Sequence, residues 1–157
     1  NLQMKKIITF FWFIAGIQTV FAQKTNVDSI LQKVTVERNE DNKFDLVICY
    51  HILEHIKDDS KAMNELYRVL KLGGKALIQT PFKDGAIYEN NSIVSKKDRL
   101  EHFGQEDHVR IYSVAGLKQR LENCGFLVEV RQNFNDNPKF GLNKDEIILI
   151  ITKPSNS

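Results

Sequence analysis

The pattern of apolar and polar positions changes character at residue 44. From Leu46 to Cys49 four apolar residues run without a break, the pattern of a central strand covered on both faces. Asp58 or Asp59 can then cap a helix. Its buried side is carried by Ala62, Leu66, Val69 and Leu70 at i, i+4, i+7 and i+8. Gly73-Gly74 is expected to stop that helix, because glycine takes the positive φ that helix ends favour. Ala76-Leu77-Ile78 predicts the next buried strand, ended by Pro81, and residues 82–95 predict a polar loop. A short helix over Ser95–His102 follows. Ser113 caps a clearer helix with Val114, Leu117 and Leu121 on its apolar side, and Gly125 closes it. Phe126–Val130 and Glu146–Thr152 predict two further strands. Helices alternating with buried strands in this way predict an open α/β sheet.

The stretch ahead of residue 44 has a different texture. Lys5-Lys6 precedes an apolar run from Ile7 to Ala22 that is rich in Phe and Ile, and Val20-Phe21-Ala22 offers small or aliphatic residues at its end. This is the layout of a signal peptide, and it predicts a hydrophobic N-terminal helix over 1–22. Val27, Ile30, Leu31 and Val34 fit a short amphipathic helix, and Asn39–Lys43 is a polar break. The expected division is therefore a leader over 1–22, a short helix and linker over 23–43, an α/β unit over 44–153 and a tail over 154–157.

Composition narrows the function classes. The chain has 157 residues, about one domain, with 42% hydrophobic and 27% charged residues and a formal net charge of +2. Lys and Arg are interspersed with Asp and Glu, so no basic stripe speaks for nucleic acid. The two cysteines, Cys49 and Cys124, make neither a metal-type pair nor a disulfide framework.

Candidate chemistry concentrates at the end of the first predicted strand, where His51-x-x-Glu54-His55 has the H-x-x-E-H spacing of one class of zinc peptidases. In that reading His51 and His55 bind the ion from one helix face, Glu54 activates its water, and Glu129 or Glu146 completes the set. Against it, His51 directly follows a β-type run. In the other reading, Tyr50 and His51 emerge at the carboxyl end of a strand, the edge at which doubly wound sheets bind ligands. Glu54 then accepts from backbone N–H groups of the turn.

The segment from Phe44 to Ile56 resembles the fourth strand of class I S-adenosylmethionine-dependent methyltransferases. Glu65-Leu66-Tyr67-Arg68-Val69-Leu70-Lys71-Leu72-Gly73-Gly74-Lys75-Ala76-Leu77-Ile78 is similar to the helix and fifth strand that follow, with Leu72 where the family usually has Pro. His102–Tyr112 resembles a bacterial subgroup of type 11-like enzymes, and Leu121–Val130 resembles the last helix and sixth strand. The resemblance spans about Phe44–Lys153. It implies a partial Rossmann-like sheet, strands four to seven of the family, with an antiparallel last strand, Glu146–Thr152, beside the fifth.

The resemblance further implies S-adenosylmethionine as cofactor, lying along Cys49, Tyr50 and His51, with His102 and His108 on the side of a small-molecule acceptor and no metal. The family's first strand ends in a glycine-rich loop, and an acidic residue ends its second. Here the single glycine ahead of residue 73 is Gly16. The resemblance thus covers the C-terminal half of the domain, a truncation that puts activity in question and leaves the fourth strand as an exposed edge open to self-association. The resemblance implies a cytoplasmic protein, whereas the leader implies export or membrane association. The alternatives are a non-catalytic exported fragment and a secreted zinc peptidase.

Overall fold

A computed structural model describes residues 7–11, 41–132 and 145–155. Its strands are β1 (Ile7–Phe11), β2 (Phe44–Tyr50), β3 (Leu70–Gln79), β4 (Tyr88–Glu89), β5 (Arg110–Ile111), β6 (Leu127–Arg131) and β7 (Ile148–Thr152). Its helices are α1 (Asp59–Val69), α2 (Lys96–Phe103) and α3 (Val114–Asn123), with a short 3₁₀ turn at Leu53–His55. Five strands form one sheet in the order β1-β2-β3-β7-β6, and β4 pairs with β5 separately. β1, β2 and β3 run parallel, while β7 is antiparallel to both β3 and β6. The last strand is thus inserted beside β3, as the resemblance implied.

The expected hydrophobic N-terminal helix is corrected over Ile7–Phe11. That segment is a strand, in register with β2 from Ile7 opposite Leu46 to Phe11 opposite Tyr50. An unbroken apolar run carries no period that separates helix from strand. Pairing decides it, because β1 satisfies the backbone groups that β2 would otherwise leave open. The outer side of β2 is accordingly not the exposed edge expected from the sequence. The rest of the apolar run, residues 12–22, and the expected helix over 26–36 lie outside the described residues.

The helix caps follow from side-chain chemistry. Asp58, Ser95 and Ser113 each accept a backbone N–H three residues on, from Lys61 at 3.0 Å, Asp98 at 3.0 Å and Gly116 at 3.1 Å. The C-terminus of α1 differs from expectation. The helix stops at Val69, and Leu70 is already extended. Gly73-Gly74 instead serve an irregularity in β3, where the two-residue step from Phe44 to Leu46 is matched by a five-residue step from Leu70 to Lys75. A Cβ on Gly74 would lie 2.8 Å from the Lys71 carbonyl oxygen and 2.9 Å from that of Phe44. Neither backbone atom can swing away as a flexible side chain would. Gly74→Ala is therefore expected to destabilise the fold by about 1–3 kcal/mol, and an unchanged midpoint of urea unfolding would count against this packing.

One face of the sheet forms the core. Val47 and Cys49 of β2, Ala76 and Ile78 of β3, and Leu149 and Ile151 of β7 are buried against Met63 of α1 and Leu117 and Leu121 of α3. The opposite row, Ile48-Leu77-Ile150, is only half-buried among the described residues. The continuous apolar run of β2 thus reads in three dimensions as an alternation of buried and half-buried positions.

Candidate functional site

The carboxyl ends of β2 and β3 lie side by side and hold the candidate residues. The chain leaves β2 through His51 at a φ of +52°, and the His51 amide donates to the Gln79 carbonyl at 2.9 Å. The Leu53–His55 turn follows at once, and a buried arginine fixes its shape. Arg110 donates to the carbonyls of Leu53 at 3.2 Å, Ile56, and Lys57 at 2.8 Å, and its Nε donates to Glu89 at 2.9 Å. The Val109 amide adds a bond to the Glu54 carbonyl at 2.9 Å. Around it, Tyr112 donates to Asp59 at 2.6 Å, and Arg120 bridges Asp59 and Glu89. Hydrogen bonding to Arg120 holds the Glu89 carboxyl below its usual range, aided by Arg110 and opposed by partial burial. Burial pushes the Tyr112 hydroxyl up, so the phenol stays protonated and can donate.

On this turn, side chains from two distant segments meet. Glu54 is 1% exposed, and its Oε1 lies 3.2 Å from His51 Nδ1. The rings of His55 and His108 pack edge to face with centroids 4.6 Å apart. Burial lowers the pKa of His55, opposed by the Asp107 carboxylate, whose Oδ2 lies 3.6 Å from Nδ1. Burial also lowers that of His108, reinforced by His55. Both imidazoles are thereby biased toward the neutral form, which has a lone pair to offer.

The structure separates the other sequence candidates. Cys49 is buried in the core and burial drives its thiol pKa far up, so its side chain is a packing group. Tyr50 is half-buried, its hydroxyl raised by burial and by the Glu146 carboxylate. His108 joins Glu54 and His55. His102 does not: its Nδ1 pairs with the Tyr88 hydroxyl at 2.7 Å, at the end of α2. The zinc-peptidase geometry does not form, because His51 lies between strand and turn rather than on a helix with His55. Glu129 sits on β6, at the far end of the sheet order, ion-paired to Arg131 at 2.7 Å. Arg110 and Tyr112 were not singled out from the sequence as site residues, and Asp59 was named there only as an alternative helix cap. The single trace there is Arg110 between Val109 and Ile111, a charge in an apolar alternation.

A family model described as "Methyltransferase domain" matches residues 6–130. The chain belongs to the methyltransferase domain family. A probable S-adenosylmethionine-dependent methyltransferase of Mycolicibacterium smegmatis is 33% identical over 92 residues, 57% of this chain and 31% of that protein. An uncharacterised protein of Methanocaldococcus jannaschii is 46% identical over 50 residues, 32% of this chain and 22% of that protein. Among solved structures, a possible histamine N-methyltransferase of Thermotoga maritima aligns with a TM-score of 0.50 at 19% identity, covering 72% of this chain and 57% of that one. The CurJ carbon methyltransferase aligns with a TM-score of 0.52 at 12% identity, covering 77% and 32%. These structural likenesses concern the fold. The methyltransferase domain described here spans less than two thirds of each of these relatives.

The end of β3 bears on S-adenosylmethionine, the cofactor named for the Mycolicibacterium smegmatis relative. Gln79 Oε1 and Thr80 Oγ1, at the end of β3, are buried without a hydrogen-bond partner. Buried acceptors of this kind are costly unless a ligand or water serves them. They suit the hydroxyl and amino donors of a nucleoside. The fit is one-sided. Gly16 is the single glycine ahead of Gly73, so the sequence there lacks the glycine-rich pattern that admits the methionine end.

Proposed function

We propose that the chain acts as a methyltransferase domain that binds S-adenosylmethionine at the joined carboxyl ends of β2 and β3 and serves a small-molecule acceptor. The observation that carries this reading is the pair of orphaned acceptors, Gln79 Oε1 and Thr80 Oγ1, beside the β2 exit at His51. The cofactor, when bound, supplies a methyl group on a sulfonium, already a strong electrophile. The chain's own part is to bind and orient. Cys49 contributes by fixing the end of β2, since its thiol is buried and its backbone is paired between β1 and β3. Tyr50 offers its half-buried ring as a wall, and Gln79 and Thr80 accept from the nucleoside. His108 is proposed for the acceptor side, and His102 only if Tyr88 releases it. No general base is assigned, because alignment of nucleophile and methyl carbon provides most of the rate in a transfer of this kind.

The one-sided fit supports weak binding by this chain alone. Calorimetric titration of the full chain with S-adenosylhomocysteine is expected to give a single site. Gln79→Ala is expected to weaken it about tenfold, the equivalent of one hydrogen bond. Absence of any binding heat, with an unchanged melting temperature at saturating ligand, would remove the enzymatic reading and leave the family membership in place.

A further inference from the structure

We propose that Glu54, His55 and His108 form a binding site for a first-row divalent cation of borderline softness, with Zn²⁺ as its probe. One ligand atom from each residue, two imidazole nitrogens and a carboxylate oxygen, lies within 4.8 Å of the others. Two imidazoles and one carboxylate make a facial set that suits Zn²⁺ or Fe²⁺ over Mg²⁺ and Ca²⁺, which prefer all-oxygen shells. The inference does not depend on cofactor binding, and it departs from the metal-free site that the family resemblance implies.

Proximity alone would not carry it. The second observation is Glu54 Oε2, which is buried without a hydrogen-bond partner on a side chain that is 1% exposed. Its sister oxygen is held by His51 at 3.2 Å. A buried carboxylate oxygen with no donor is a place where a cation restores the lost solvation. An outer carboxylate also stands beside the site: Asp107 Oδ2 lies 3.6 Å from His55 Nδ1, the kind of partner that orients a ligating imidazole.

The scaffold supports this placement. Glu54 and His55 ride on the turn that Arg110 holds by its carbonyls, and His108 stands two residues ahead of Arg110 itself. The amide between them, Val109, bonds to the Glu54 carbonyl. Two segments more than fifty residues apart in sequence are thus fastened together at the place where their ligand atoms meet. Bond lengths of about 2.1 Å require ligand atoms roughly 3–3.5 Å apart, so the three groups need to close by at most roughly 1–2 Å onto the ion.

The test is calorimetric titration of the full, chelator-treated chain with Zn²⁺, together with the visible spectrum of the Co²⁺ form. One equivalent of Zn²⁺ is expected per chain. Glu54→Gln and His108→Ala are each expected to weaken binding about 100-fold or more, the upper end of what even indirect partners contribute, while His102→Ala leaves it unchanged. Should a variant fail to fold, the wild-type Co²⁺ spectrum decides: a d–d band without thiolate charge transfer supports nitrogen and oxygen ligation. Sub-stoichiometric Zn²⁺, equal binding by folded Glu54→Gln and His108→Ala, or a thiolate band from Cys49 or Cys124 would overturn the proposal.

Discussion

Arg110→Ala is expected to cost about 3–5 kcal/mol of stability, the range for removing one partner of a buried, hydrogen-bonded charge cluster. Arg110 is 5% exposed and serves three carbonyls of one turn as well as Glu89. Truncation takes this donor from the Ile56 and Lys57 carbonyls, leaves Leu53 with only the Ile56 amide and Tyr112 hydroxyl and Glu89 with only Arg120, and leaves Asp59 with less compensating charge; the Arg110 Nε lies 3.8 Å from its Oδ2. Arg110→Lys is expected to recover little, because an ammonium cannot reproduce the planar fork that reaches several acceptors at once. Urea unfolding at constant slope measures the effect. A loss under about 1 kcal/mol would mean that the turn is held by something other than Arg110.

Leu149→Ala is the second large effect, expected at about 2–5 kcal/mol. Leu149 is fully buried in β7, opposite Ile78 of β3 on one side and Val130 of β6 on the other. Its loss opens a void between strands that cannot slide together without breaking two ladders. Leu127→Ala makes the comparison, since Leu127 is 62% exposed on β6, and a change within about 0.5 kcal/mol is expected there. Equal losses at the two positions would contradict the assigned core.

The sequence was most legible where local chemistry and packing agree. Asp58, Ser95 and Ser113 have short acceptor side chains immediately ahead of helical spacing, and each caps its helix. The Ile148–Thr152 strand was readable from its apolar run, but its antiparallel insertion came only from resemblance, since nothing within five residues encodes their neighbours. Ile7–Phe11 misled because a uniformly apolar segment fits helix and strand alike, and its partner lies far away in β2. Gly73-Gly74 misled because glycine marks a helix end and a strand irregularity equally well. The site was half visible. His51, Glu54 and His55 share a local motif, whereas His108 joins them only through tertiary structure. Arg110 was hidden by its own chemistry: an isolated arginine reads as surface until its acceptors, three backbone carbonyls and the Glu89 carboxylate, are located.

The placement of β7 has a kinetic consequence. β3 and β6 are not paired with each other; β7, which follows both in the chain, lies between them. During synthesis β6 has no seat in the sheet until residues 148–152 emerge, and β3 keeps one ladder open for the same interval. Parallel pairing of β1 with β2 closes across more than thirty residues, so neither end of the sheet can nucleate from local contacts. Such wiring makes assembly late and slow for a chain of this size, with apolar strands waiting unpaired in the meantime. Chaperone dependence and recovery in the insoluble fraction would follow from the order of the strands before any single residue is at fault.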